Sequence, residues 1–219
     1  MTKPKAFLFD LNGTMIDDMQ YHIRAWSDLL NNDLHAGLSY EQVKAQMYGS
    51  NDELLIRVFG KGHFTQKQMR ELSLEKERRY QQAFLPELKL IAGLEEFLNM
   101  AAEKNIQMAI GSAALRLNID FVLDNLPIRH FFQAIVSASD VQVSKPHPET
   151  YLRAAGLLKV DPSSCMVFED APKGVESAAN AGMQSIVLTT MHGREDFTSY
   201  PNILSFIENY HYPGLQALF

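Results

Sequence analysis

The sequence predicts an α/β protein, a parallel sheet covered by helices on both faces and interrupted near its start by a block of helices. Three observations predict it. A short apolar run, Ala6-Phe-Leu-Phe9, stops at Asp10 and is followed by Asn12-Gly13, the pattern of a buried strand and its turn. Residues from about 17 to 85 then read almost wholly as helix. Beyond Pro86, short apolar runs alternate with helical stretches, as parallel strands alternate with their crossovers.

Each element can be justified in order. Tyr21 to Leu30 places Ile23, Trp26 and Leu30 on one face at helical spacing. Ser39, ahead of Glu41-Gln42, is a helix cap, and Gly49-Ser50-Asn51-Asp52 is a loop or cap before Leu54-Leu55-Ile56. Gln66 to Phe84 is long and charged, with apolar residues only at intervals, as on a solvent-facing helix. Further strands are expected at Met108–Ile110, Ala134–Val136, Cys165–Phe168 and Ser185–Leu188. Helices are expected from about Ala114 to Leu123, Glu149 to Leu158 and Gly174 to Ala181. The expected organisation is a discontinuous core, residues 1–15 plus 87–219, with a helical insertion at 16–86.

The bulk numbers narrow the class. With 219 residues and 46 % apolar residues the chain can bury a core, and its net charge of −6 argues against nucleic-acid or membrane-surface binding. The single cysteine, Cys165, allows no internal disulfide, which suits a reducing compartment. Met1 to Asp10 lacks a signal-peptide pattern, because its apolar stretch is only Ala6 to Phe9. No segment is apolar and long enough to span a bilayer. The expected location is the cytoplasm, and the expected state a monomer.

Open α/β sheets bind ligands at the carboxyl ends of their strands. Four polar groups fall there: Asp10, Ser112, Lys145, and the pair Glu169-Asp170. Singly, each is an ordinary turn, cap or surface residue; only the ordered combination points to chemistry. Three carboxylates facing one lysine need a further cation. Oxygen ligands suit Mg²⁺, which also binds substrate phosphates. Asn12-Gly13-Thr14 offers backbone N–H groups to phosphate oxygens, and Ser112, read as opening a helix, favours anions.

This combination resembles the haloacid dehalogenase superfamily of phosphatases and phosphomutases, over nearly the whole chain. Phe7-Leu-Phe-Asp10-Leu-Asn12-Gly13-Thr14 resembles its first motif, Ile110-Gly-Ser112 the second, Lys145-Pro146-His147-Pro148 the third, and Val167-Phe-Glu169-Asp170-Ala-Pro-Lys-Gly174 the acidic fourth. Tyr21-His22-Ile-Arg24-Ala-Trp26 is similar to the β-phosphoglucomutase group. The resemblance implies a Rossmann-like core with an α-helical cap that closes over the substrate. Asp10 would be the nucleophile forming an aspartyl-phosphate. Mg²⁺ would be held by the Asp10 carboxylate, the backbone carbonyl of Asn12 and Asp170, with Glu169 nearby. Ser112 and Lys145 would hold the transferring group, with Gly13, Thr14, His22, Ala113 and Arg116 binding substrate.

Two departures matter. The family's phosphotransferases carry a second aspartate two residues after the nucleophile, as general acid and base; here that residue is Asn12. An amide donates a hydrogen bond but relays no proton, and losing such a group slows a reaction about 10²–10⁴-fold. Asn12 admits three accounts: a substitution introduced to trap a complex, a specialised enzyme whose substrate has a good leaving group, or a binding protein that has lost catalysis. The second departure is in the cap loop, where the group's mutases use an arginine. Tyr48-Gly49-Ser50-Asn51-Asp52-Glu53 has none, which favours a phosphatase over a mutase; Arg57 lies further on, and Arg116 and Asn118 are either candidates to take the arginine's place or plain surface helix residues. The expected substrate is a small phosphorylated metabolite such as a sugar phosphate. The alternatives are a β-phosphoglucomutase-like isomerase and a non-catalytic phosphometabolite-binding protein. Metal-free dehalogenation is disfavoured by Glu169-Asp170.

Overall fold

The structure is a computed structural model, described over residues 3–219. In chain order its elements are β1 (Ala6–Phe9), α1 (Met19–Asp28), α2 (Tyr40–Lys44), α3 (Asn51–Phe59), α4 (Gln66–Phe84), α5 (Leu94–Glu103), β2 (Gln107–Gly111), α6 (Arg116–Asn125), β3 (Ala134–Val136), α7 (Glu149–Leu158), β4 (Cys165–Glu169), α8 (Pro172–Asn180), β5 (Gln184–Leu188) and β6 (Ile203–Ile207). They form two compact units, one from the segments up to Asp17 and from Lys89 onward, the other from Asp18 to Leu88.

The first unit carries one six-stranded sheet in the order β3-β2-β1-β4-β5-β6, every neighbouring pair parallel. This is the doubly wound, Rossmann-like α/β arrangement. All four residues of β1 are fully buried, because helices cover both faces of a parallel sheet and its strands become continuous apolar runs. One side is lined by Phe7, Phe9, Phe97 and Phe168; Phe9 stacks on Phe168 at 4.8 Å and Phe7 on Phe97 at 5.2 Å. The chain winds from β1 out to β3, then returns to β4 on the other side of β1. Ligands of such sheets bind at this reversal. The register pairs Phe9 with both Ile110 and Phe168, so the residues that follow these strands emerge side by side.

Two elements go beyond the expected set. α5 opens at Gly93, which has φ +80°, and buries Leu94, Phe97, Leu98 and Ala101 at helical spacing. β6 is an edge strand, and four of its five residues are only half-buried.

The second unit is helical. Ser39, Ser50 and Thr65 each close a reciprocal capping box at the start of α2, α3 and α4. Its core includes Ile23, Trp26, Leu30, Leu55, Tyr80 and Phe84. The expectation of a solvent-facing α4 needs correction. Its inner face buries Lys76 and Glu77 with Met69, Tyr80 and Phe84, and the two charges are tolerated because Lys76 Nζ lies 3.0 and 3.1 Å from the Glu77 carboxylate oxygens. Among the described residues no helix is long and apolar enough to cross a membrane.

Candidate active site

Asp10 leaves β1 with its backbone N–H donated to Phe168 O at 3.0 Å, fixing it beside the end of β4. Lys145 arrives from the loop between β3 and α7. Its Nζ donates to Asp10 Oδ1 at 2.7 Å, to Glu169 Oε1 at 2.7 Å and to the Tyr151 hydroxyl at 2.9 Å. An ammonium has three N–H donors, so these contacts use all of them. Asp10, Lys145, Glu169 and Asp170 are all buried. Burial alone would depress the Lys145 pKa, but the carboxylates of Asp10 and then Glu169 outweigh it and hold the pKa above the ordinary lysine value. The ammonium is therefore charged at neutral pH.

Glu169 is anchored on every side. Tyr151 donates to its Oε1 at 2.7 Å, and the N–H groups of Asp170 and Ala171 donate to its Oε2, each at 3.0 Å. A Cβ at Gly174, in the first turn of α8, would collide with this carboxylate, so the glycine makes room for it. Asp170 lies over the turn after β1. Thr14 Oγ1 donates to its Oδ1 at 3.4 Å. Gly13 has φ +70°, and a Cβ there would strike the Asp170 carboxylate. The turn is held from behind, since Thr190 Oγ1 donates to Gly13 O at 2.6 Å and Tyr210 OH to Thr14 O at 3.1 Å.

Tyr151, Thr190 and Tyr210 were not among the residues singled out from the sequence. Tyr151 sits on the buried face of α7 and reads there as core. A buried tyrosine hydroxyl must find a partner, and that is the one signal the sequence offered.

Ser112 follows β2, and its N–H donates to Val136 O at 2.9 Å. The expectation that it opens a helix needs correction, because α6 begins at Arg116. Ser112 Oγ accepts the Ala114 N–H at 3.1 Å, and Ala114 O accepts the Ala138 N–H, which keeps 112–115 as a turn. Ala113 is half-buried in that turn. Arg116 is exposed, and its Nε donates to Asp120 Oδ2 at 3.0 Å. Asn118 is buried one turn into the helix.

The donor chemistry suits a hard divalent cation. The carboxylates of Asp10, Glu169 and Asp170 outnumber the one ammonium placed among them, and that excess calls for a positive charge. Among the described residues, no group of three His, Cys, Asp or Glu side chains forms a ready metal site. The Glu169 oxygens are bonded by Lys145, Tyr151 and the two N–H groups. Asp10 and Asp170 bring carboxylate oxygens to this strand end, and half-buried Asn12 brings a main-chain carbonyl. Carboxylate and carbonyl oxygens are Mg²⁺ ligands.

The helical unit holds a second polar cluster. The His22 ring stacks on Tyr80, centroids 3.7 Å apart. Its Nδ1 is 2.6 Å from Lys76 Nζ and its Nε2 3.3 Å from Asp18 Oδ2. Tyr80 OH donates to the same Asp18 oxygen at 2.5 Å. Arg57 reaches back to the 46–48 segment, donating to Gln46 Oε1 at 3.0 Å and to the carbonyls of Gln46 and Tyr48 at 2.8 Å each, over the Tyr48 ring.

Comparison with known proteins places this geometry in a family. The family model described as haloacid dehalogenase-like hydrolase matches residues 7–188. The β-phosphoglucomutase of Bacillus subtilis is 30 % identical over 194 residues, covering 83 % of this chain and 82 % of that protein. The fructose-1-phosphate phosphatase YqaB of Escherichia coli is 28 % identical over 182 residues, covering 83 % of this chain and 94 % of that protein. Among solved structures, a β-phosphoglucomutase from Clostridium difficile superposes with a TM-score of 0.84 at 25 % identity, covering 98 % of this chain and 96 % of that one. The chain belongs to the haloacid dehalogenase-like hydrolases and is an enzyme of their phosphatase and phosphoglucomutase kind.

Proposed function

We propose that this protein hydrolyses the phosphoester of a small phosphorylated metabolite, a sugar phosphate in the first instance, through an aspartyl-phosphate on Asp10. Turnover is slowed, or confined to good leaving groups, by Asn12. The observation that carries this is the Lys145 ammonium held 2.7 Å from Asp10 Oδ1 where the sheet reverses direction. Phosphoryl transfer asks a protein mainly for positioning and for charge placed against the phosphoryl oxygens. The names of the two curated relatives support the substrate class.

Asp10 Oδ attacks phosphorus, and the bond to the leaving oxygen breaks as the new one forms. Lys145 and the Ser112 hydroxyl bind the equatorial oxygens. The carboxylates of Asp10 and Asp170 and the carbonyl of Asn12 would hold Mg²⁺, which when bound neutralises phosphoryl charge and orients its oxygens. The leaving alkoxide needs a proton that the Asn12 amide cannot give, so it must come from water. A second water then attacks the acyl phosphate, releasing phosphate and restoring the Asp10 carboxylate, again without a base at position 12.

The test is Mg²⁺-dependent phosphate release from sugar phosphates, pyrophosphate and acetyl phosphate by this protein and by Asn12→Asp. The variant is expected to be faster by about 10²–10⁴-fold on sugar phosphates. For acetyl phosphate, whose leaving group needs no proton, the gap should narrow in the phosphorylation of Asp10 but persist in the release of phosphate from it. Isomerisation of glucose 1-phosphate without phosphate release would mean a mutase. No release by either protein would favour a binding protein and overturn hydrolysis.

A further inference from the structure

We infer that Tyr151 is a positioning residue for the phosphoryl group, acting through Lys145 and Glu169; this rests on the function proposed above. Its hydroxyl closes a triangle with the lysine and the glutamate. It accepts from Lys145 Nζ at 2.9 Å and donates to Glu169 Oε1 at 2.7 Å, while Lys145 donates to that same oxygen at 2.7 Å. Tyr151 is fully buried on α7, so the hydroxyl has one place to be.

Two consequences follow for the ammonium. The donation from Tyr151 satisfies part of Glu169 Oε1. Without it, that oxygen would draw Lys145 towards Glu169 and away from Asp10, where a phosphoryl group must sit. The third N–H of Lys145 also rests on a neutral oxygen rather than a third carboxylate. A phosphoryl oxygen arriving beside Asp10 can take that N–H, and Tyr151 gives up only a neutral contact while still donating to Glu169. Charge-assisted hydrogen bonds are stronger than neutral ones, so the exchange favours the anion. Tyr151 bonds Lys145 and Glu169, whereas Asp10, Asp170 and the Asn12 carbonyl would hold Mg²⁺, so metal binding should change less than phosphate binding.

The test is calorimetric titration of inorganic phosphate into the Mg²⁺-loaded protein, with a separate Mg²⁺ titration. Wild type, Tyr151→Phe, Lys145→Ala and the double variant are compared. Tyr151→Phe should fold, since it loses one oxygen and leaves Lys145 on two carboxylates and Glu169 with three donors. It is expected to bind phosphate about tenfold more weakly, the worth of one hydrogen bond to a charged group, with Mg²⁺ affinity within about twofold of wild type. In the Lys145→Ala background the same change should have no further effect, because its route through the lysine is gone. Unchanged phosphate affinity in Tyr151→Phe, or the same loss with and without Lys145, would overturn the proposal and leave the proposed function standing. Failure of the wild-type protein to bind phosphate with Mg²⁺ would overturn both.

Discussion

Lys145 in the α/β unit and Lys76 in the helical unit are both buried, and their surroundings shift them in opposite directions. For each, burial is the largest influence and disfavours the charge. At Lys145 it is overcome by Asp10 and Glu169, both 2.7 Å away. At Lys76 one carboxylate, Glu77, makes the close contacts, at 3.0 and 3.1 Å, Asp18 adds a weaker pull, and the His22 imidazole lies 2.6 Å away. Its pKa falls below the ordinary lysine value. Only one of the two facing nitrogens can carry the proton in that last contact. Burial alone therefore does not decide a lysine's charge; the number and closeness of its carboxylates do. At neutral pH Lys145 is held charged and suits an anionic ligand, whereas the surroundings of Lys76 make its ammonium easier to deprotonate.

The comparison can be broken in three places. The largest effect is expected from Lys145→Met. It removes the cation from between two buried carboxylates and should destabilise the protein by about 3–5 kcal/mol, read from urea unfolding at neutral pH. A change under about 1 kcal/mol would mean that the ammonium is not what compensates Asp10 and Glu169. A smaller loss is expected from Gly13→Ala. The left-handed backbone alone disfavours a side chain by about 1–2 kcal/mol, and the clash with Asp170 adds to it. Mg²⁺ affinity should fall alongside, measured by titration; retained affinity would separate Asp170 from the metal.

The smallest effect is a pH dependence in the helical unit. The pKa of Lys76 is lower in the folded than in the unfolded protein. Between that lowered value and about 10.4 the unfolded chain binds more protons, so Lys76 makes stability rise with pH across this window. Lys145 has the opposite sign. Its pKa is raised, its contribution is complete below the unfolded value, and it is lost only as pH rises through the folded one. Trp26 is the single tryptophan and lies in the core of the helical unit, so its fluorescence reports that unit's unfolding. Wild type should gain stability relative to Lys76→Met as pH rises through this window. Parallel profiles would contradict the assignment.

The architecture was legible in the sequence because inner parallel strands are unbroken apolar runs. Ala6–Phe9 and Ala134–Val136 have the expected bounds. The edge strand β6 was not among the expected strands, although Ile203-Leu-Ser-Phe-Ile207 is largely apolar. The loop ends were legible too. The strand-end rule selects Asp10, Ser112, Lys145 and Glu169-Asp170 however far apart they stand in the chain, and the structure brings Asp10, Lys145 and Glu169 into direct contact. The residues that brace them were not legible. Tyr210 meets Thr14 across 196 positions and Thr190 meets Gly13 across 177, and locally each is an ordinary hydroxyl residue. The polar inner face of α4 was hidden for the same reason, since the partners of Lys76 lie partly on α1.

The central claim is that Asp10 is phosphorylated and that Asn12 slows the release of that phosphate. Incubation with acetyl phosphate and Mg²⁺ followed by peptide mass spectrometry tests it directly. The account predicts one added phosphoryl group on the peptide containing Asp10, more in this protein than in Asn12→Asp and none in Asp10→Ala. Phosphate on another residue, or none on a protein that still releases it, would contradict the account.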